Sequence, residues 1–294
     1  MQKILAVSGG VDSMVMLHLF RRDQSVIVAH FDHGIRANSR DDAIFVETIA
    51  ARYGLPYFTK RQQLGAHCSE AVARAERYQF LQQLAHTYDG KIYTAHHLDD
   101  FIETIIINLW RGTQWRGLAP FMDSTCERPL LTWSKADIYR YATQHALVFR
   151  QDQSNTEASY LRNQLRDLLD ARTFQPSTPL SAATPRQLLA PDLQRLGFRQ
   201  RELYREIYQL GNKLIKTISK PNSYPRAPFQ ALPDQLALEL LRQLLEQQQH
   251  YLTYPQLQRA LHAIRNYHAS KRFNLPADNF ILFSRHHFSL EDKA

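Results

Sequence analysis

Apolar residues in this chain fall into short runs, each broken by a polar or glycine-rich turn and followed by a longer stretch of helical spacing. Lys3–Val7 is such a run and predicts a strand; Ser8-Gly9-Gly10 breaks it, and Val11–Phe20 then reads as a helix. Val26–Phe31, Leu55–Thr59 and Lys91–Ala95 predict further strands, while Ile44–Tyr53, Glu70–Tyr88 and Asp99–Trp110 predict helices. Strands alternating with helices imply an α/β fold with a parallel sheet and crossover connections. Ligands of such sheets bind beyond the strand C-termini, which is where the polar turns fall.

The pattern changes after Arg172. Pro176, Pro179, Pro185 and Pro191 gather among Ser, Thr and Ala, which suggests a linker. Beyond it, Gln194–Ser219, Leu236–Gln248 and Tyr254–Tyr267 look helical, and alternating runs within Phe273–Leu290 suggest a hairpin. The expected organisation is therefore a catalytic α/β domain over 1–172, a linker over 173–192, and a smaller, mainly helical domain over 193–294.

Charge sharpens this division. Residues 1–173 hold 20 Lys and Arg against 19 Asp and Glu, whereas residues 174–294 hold 16 against 9. A near-neutral front half with a basic back half suits an enzyme whose rear domain meets a polyanion, although a solvated basic surface gives the same count. No apolar run approaches the ~20 residues that cross a bilayer, so no membrane association is expected. No cleavable signal is visible at the N-terminus. Cys68 and Cys126 form no CxxC pair, and a reducing cytoplasm is the simplest compartment.

The strongest motif is Ser8-Gly9-Gly10-Val11-Asp12-Ser13 between a strand and a helix. Glycines let backbone approach an anion closely, and the N–H groups and dipole at the helix start favour phosphate. Ser8 and Ser13 offer hydroxyl donors. Asp12 would repel phosphate unless a Mg²⁺ ion bridges the two. The pattern GxxxxGK[ST] is absent, so this is not a Walker A loop. It resembles the PP-loop of N-type ATP pyrophosphatases, which cleave between the α- and β-phosphates of ATP.

Further strings narrow the resemblance. His30-Phe31-Asp32-His33-Gly34-Ile35-Arg36 is similar to HxDHGxR, and Glu70, Arg74, Arg77, Tyr78 and Phe80 follow ExxARxxRYxFL. Thr94-Ala95-His96-His97-Leu98-Asp99-Asp100 with Glu103-Thr104 follows TAHHxDDxxET, and Arg111-Gly112-Thr113 with Gly117-Leu118 follows RGTxxxGL. Arg128-Pro129-Leu130-Leu131, then Asp152, Ser154-Asn155, Arg162-Asn163 and Arg166, complete the series. In this order the strings resemble the tRNA(Ile)-lysidine synthases. Phe101, Gln153 and Gln164 depart from that family's usual residues, and the likeness beyond residue 169 is loose.

The resemblance implies ATP-dependent ligation of free L-lysine to C2 of the wobble cytidine of the CAU-anticodon tRNA(Ile), through an adenylated intermediate. ATP would lie on Ser8, Gly9, Gly10, Val11, Asp12 and Ser13, with Asp32 nearby and Mg²⁺ on Asp12 and Asp100. Asp12, His96, Asp100 and Arg74 are the catalytic candidates; Glu70, Arg77, Arg111 and Arg166 are candidates for lysine or tRNA. His97 or either aspartate of the pair could equally serve as a helix cap or core hydrogen-bonding group. Trp110, Trp115 and Trp133 could form a stacking platform for RNA or belong to the core. Two alternatives compete: a PP-loop tRNA thiolase, which would call for reactive cysteines or an iron–sulfur cluster, and a catalytically idle tRNA-binding relative. Oligomeric state stays open, a homodimer being one option.

Overall fold

The computed structural model describes residues 1–34, 39–62, 70–122, 126–150, 185–218, 223–276 and 279–291. The chain divides into two compact units, Met1–Arg201 and Glu202–Ala294.

The first unit is built on a five-stranded sheet in the order β3-β2-β1-β4-β5. Its strands are β1 (Gln2–Ala6), β2 (Val26–Asp32), β3 (Tyr57–Arg61), β4 (Gly90–Tyr93) and β5 (Cys126–Glu127), all paired in parallel. Both faces of a parallel sheet are covered, so successive apolar residues in a strand are all buried. Leu5, Val26 and Val28 point into a core shared with α1 (Val11–Phe20), α2 (Ser39–Arg52) and α5 (Lys135–Gln144). Their neighbours Ile4, Ile27 and Ala29 point the other way, against Phe80, Leu81 and Leu84 of α3 (Glu70–Thr87). This period-2 split puts α1 and α2 on one face and α3 on the other, with α1 opening beyond the end of β1.

A smaller core joins α4 (Leu98–Trp110) to α6 (Pro185–Ile218), where Phe101 stacks on Phe198 with centroids 5.0 Å apart. Helix α6 starts at Pro185, inside the segment read from sequence as linker. Proline suits a first helical position because its missing N–H has no intrahelical partner there. The part of that segment before Pro185 lies outside the described residues.

The second unit holds the C-terminal part of α6, then α7 (Ala227–Ala231), α8 (Asp234–Gln247) and α9 (Tyr254–Asn266). The expected hairpin is part of a larger antiparallel sheet, β6-β9-β8-β7, formed by β6 (Tyr224–Pro225), β7 (Arg272–Asn274), β8 (Phe280–Phe283) and β9 (His287–Glu291). Ile281, Phe283, Phe288 and Leu290 pack from the strands against Leu241, Leu244, Leu261 and Ile264 of α8 and α9. Among the described residues no helix is long and apolar enough to cross a membrane.

Candidate active site

The C-terminal ends of β1, β2 and β4 open into a cavity of about 490 Å³ whose floor includes Ser8, Gly10, Asp12 and Ser13. Gly9 takes φ +93°, a left-handed conformation that side chains resist, and so turns the chain from β1 into α1. The Ser13 hydroxyl holds that turn closed. Its Oγ accepts from the Ser8 N–H (3.2 Å) and the Gly9 N–H (3.1 Å) and donates to the Gly10 carbonyl (2.9 Å). Ser13, expected as a phosphate donor, lines the cavity and in this structure also braces the turn. The Val11 side chain belongs to the core, so its contribution to an anion would come from its backbone N–H. Helix-start N–H groups have no carbonyl one turn earlier to bond, and they face the cavity with the positive end of the dipole.

Beside this turn the starts of α4 and α5 are tied together. Leu98 N–H donates to the Trp133 carbonyl (2.9 Å), and Lys135 N–H donates to Asp99 Oδ2 (2.8 Å). The string Ser134-Lys135-Ala136-Asp137 caps α5: the Asp137 N–H donates to Ser134 Oγ (3.2 Å), and the Ser134 N–H donates back to Asp137 Oδ2 (3.0 Å). That cap fixes Lys135 at the first helical position, and its Nζ donates to Asp12 Oδ1 at 2.6 Å. Lys135 is a residue that sequence reasoning missed.

His97 precedes α4 and is 5% exposed. Its Nε2 lies 3.9 Å from Asp12 Oδ1 and 3.5 Å from Asp100 Oδ2, so both carboxylates flank one ring atom. Asp100 also accepts from the His97 N–H (3.0 Å), which gives it a capping role beside any chemical one. Burial opposes charge on His97, but the Asp99 hydrogen bond and the Asp100 and Asp12 carboxylates outweigh it and raise the ring's pKa.

His96 behaves oppositely. Burial drives its pKa down to about 4, against the pull of Asp100, so the ring is neutral near pH 7. Its Nδ1 pairs with Thr94 Oγ1 at 2.8 Å, and the ring packs on Phe121 with centroids 4.9 Å apart. Asp32 ends β2, is 4% exposed, accepts from the Gly34 N–H (2.8 Å) and faces Arg61 at 3.4 Å. His30, one turn of the pleat earlier, pairs through Nδ1 with the Val7 carbonyl (2.8 Å) and pins β2 to the strand end that carries the glycine turn.

The cavity therefore collects Ser8, Gly10, Asp12, Ser13, Asp32, Arg77, His96 and Asp100 from the sequence-derived set, while Gly9 and Val11 belong to the same turn and helix start but not to the lining. Arg74 does not line it: its guanidinium donates to the Tyr78 hydroxyl (3.3 Å) and lies over that ring. Arg111 caps the far end of α4 and is exposed, roughly 20 Å along the helix from His97 at ~1.5 Å per residue. Glu70 begins α3, but its side chain lies outside the described residues, as does all of Arg166. Of the tryptophans, Trp133 packs on the main core while Trp110 is 73% exposed.

Comparison with known proteins fits this geometry. A tRNA(Ile)-lysidine synthase of Enterococcus faecalis is 35% identical over 178 residues, covering 56% of this chain and 38% of its own length. The one from Thermus thermophilus is 36% identical over 171 residues, covering 55% and 34%. The bifunctional protein TilS/HprT of Listeria monocytogenes is 34% identical over 181 residues, covering 55% and 28%. The chain thus spans well under half the length of these curated relatives. A U34-tRNA thiolase from Methanococcus maripaludis superposes with a TM-score of 0.53 at 17% identity, over 70% of this chain and 71% of that one, and shares the fold. The profile of the PP-loop domain matches residues 1–172, more than half of the chain and all of the parallel sheet that carries the glycine turn, so the chain belongs to the PP-loop domain family.

Proposed function

We propose that this chain uses ATP to join free L-lysine to C2 of the wobble cytidine of a CAU-anticodon tRNA(Ile), forming lysidine and releasing AMP and pyrophosphate. The observation that carries the reading is the pairing of a preset glycine turn with Asp12 and Asp100 on either side of His97 Nε2. In the first step the cytidine O2 attacks the α-phosphorus, and pyrophosphate leaves. In the second the neutral ε-amine of lysine attacks C2, AMP leaves with the former carbonyl oxygen, and the amine gives up a proton. The turn and the α1 N-terminus hold the phosphates.

Mg²⁺ fits the donor set. Asp12 and Asp100 offer hard carboxylate oxygens, and the ion ordinarily takes one or two of these and completes its shell with phosphates and water. Bound there, it would neutralise triphosphate charge. His96, held neutral by burial, serves as a hydrogen-bonding wall for the base or the amine and not as an acid. Arg77 faces the same cavity and suits the RNA phosphate or the base. Arg74 as a catalytic group, and Glu70, Arg111 and Arg166 as contacts for lysine or tRNA, are assigned by motif alone.

The test is mass analysis of nucleosides from the cognate tRNA after incubation with ATP and lysine. Cytidine gaining lysine less water is expected for the wild-type chain. Asp12→Ala should abolish the product while leaving tRNA affinity largely intact. Pyrophosphate release that ignores lysine would point to a thiolase instead, and no release at all to an idle binder.

A further inference from the structure

The cavity carries one more cation, Arg150, which the motif strings do not include. It follows α5 where the chain returns past the glycine turn, and its backbone N–H donates to the Gly9 carbonyl at 2.9 Å. A methyl placed on Gly9 would meet the Arg150 Cγ at 3.8 Å, so the side chain's stem lies along the turn. Its guanidinium rests at the first turn of α2. Nη2 is 3.4 Å from the Asp41 carbonyl, Nε is 3.8 Å from the Asp42 carboxylate, and the group lies 5.5 Å over the Phe45 ring. These are loose contacts. The ion pair is longer than a hydrogen bond, and its side chains are 50% and 32% exposed, a setting in which such pairs hold weakly. Arg150 and Asp42 both line the cavity.

The charge requirement of a triphosphate makes this placement informative. The glycine turn contains no lysine, and Lys135 is engaged with Asp12. Among the described residues that line the cavity, two are permanent cations, Arg77 and Arg150. Arg77 enters from α3, on the opposite face of the sheet from α2. Arg150 stands directly beside the anion-binding turn, with a planar fork suited to phosphate oxygens.

We propose that Arg150 is a nucleotide-binding residue that leaves Asp42 when ATP arrives and grips the β- and γ-phosphates, while its backbone stays fixed to Gly9. The inference rests on the ATP reading above. It assigns Arg150 to the pyrophosphate portion of the nucleotide and not to the adenosine.

Calorimetric binding of ATP, pyrophosphate and AMP to the full chain tests it, with Arg150→Ala and Arg150→Lys beside the wild type. Losing a charge-assisted, forked contact should weaken ATP and pyrophosphate by about tenfold or more and leave AMP unchanged. Arg150→Lys, which keeps charge and loses the fork, should fall between. Both variants retain the backbone bond to Gly9, and thermal melting reports whether the fold survives; if the alanine variant melts early, the lysine variant carries the comparison. An equal loss for AMP would overturn the assignment, because Arg150 would then shape the turn or touch the adenosine. Unchanged ATP and pyrophosphate binding would overturn it too, leaving Arg150 on Asp42. A wild-type chain that binds none of the three would fail at the ATP reading itself.

Discussion

Asp12 is a carboxylate in the first turn of a helix whose amides face an anion site, and its charge is met by Lys135 Nζ at 2.6 Å. Both side chains are about one-third exposed, so the pair is partly screened, but at this distance Lys135 still holds the Asp12 carboxylate beside the turn and offsets its charge there. Lys135→Met should therefore lower kcat/KM for ATP by about ten- to a hundredfold, the worth of a charge-assisted hydrogen bond, mostly through KM. Pyrophosphate release at varied ATP and Mg²⁺ measures it; an unchanged kcat/KM would reduce the ion pair to a surface contact. Asp12, His96 and Asp100 were legible in the sequence because each sits inside a motif string. Lys135 was not, because it lies 123 positions from Asp12 and has meaning only once Asp99 binds the start of α5.

At the scale of elements, α4 matters through both ends: its start carries the histidine–aspartate string, and its body seats α6. Gly197 allows that seating. A Cβ built there would lie 2.6 Å from Ile105 Cδ1 and from two Phe101 ring carbons, far inside van der Waals contact. Phe101 is fully buried, with Phe198 stacked on it, so the ring has little room to yield. A valine at 197 gains a few tenths of a kcal/mol at most in helix propensity over glycine, against about 1–3 kcal/mol for overpacking. Gly197→Val should then cost about 2 kcal/mol of stability, read as a lower urea midpoint. A midpoint that does not move would mean α6 is not packed on α4 as described. The same elements show what the hydrophobic pattern could reveal. Strands β1, β2 and β4 and helix α1 were readable as dense apolar runs set off by polar breaks, and α3 by its long stretch of helix-forming residues. Strand β5 has two residues and leaves no trace, α5 buries Ile138 and Ala142 one turn apart in a short stripe easily passed over among polar residues, and Pro185 and Pro191 disguised the start of α6 as a linker.

Charge is a property of the whole chain, and it is lopsided: the net +8 comes almost entirely from residues 174–294, with 16 basic against 9 acidic side chains. Such a half binds a polyanion by releasing its counterions, which makes affinity fall steeply with salt and carries little sequence information. Counted by the two compact units the excess is even, 24 basic against 20 acidic side chains in residues 1–201 and 12 against 8 in residues 202–294, because the basic stretch begins in the first unit with Arg186, Arg195, Arg199 and Arg201. A basic stretch of this kind and the nucleotide cavity are expected to respond to different variables, salt for the one and ATP for the other. Arg205 and Lys216 are both exposed on α6, eleven residues apart and hence about 20° from one another around the helix, so they share a stripe. Changing both to glutamine should weaken tRNA binding, flatten the plot of log affinity against log salt by up to about two units, and leave KM for ATP unaltered. Filter binding across a salt series, with ATP turnover measured in parallel, reads both quantities. A slope that stays the same in the double variant would free this stripe of phosphate contacts. A shift in the ATP KM instead would show that these charges act on the nucleotide site, whose lining among the described residues reaches no further than Arg150.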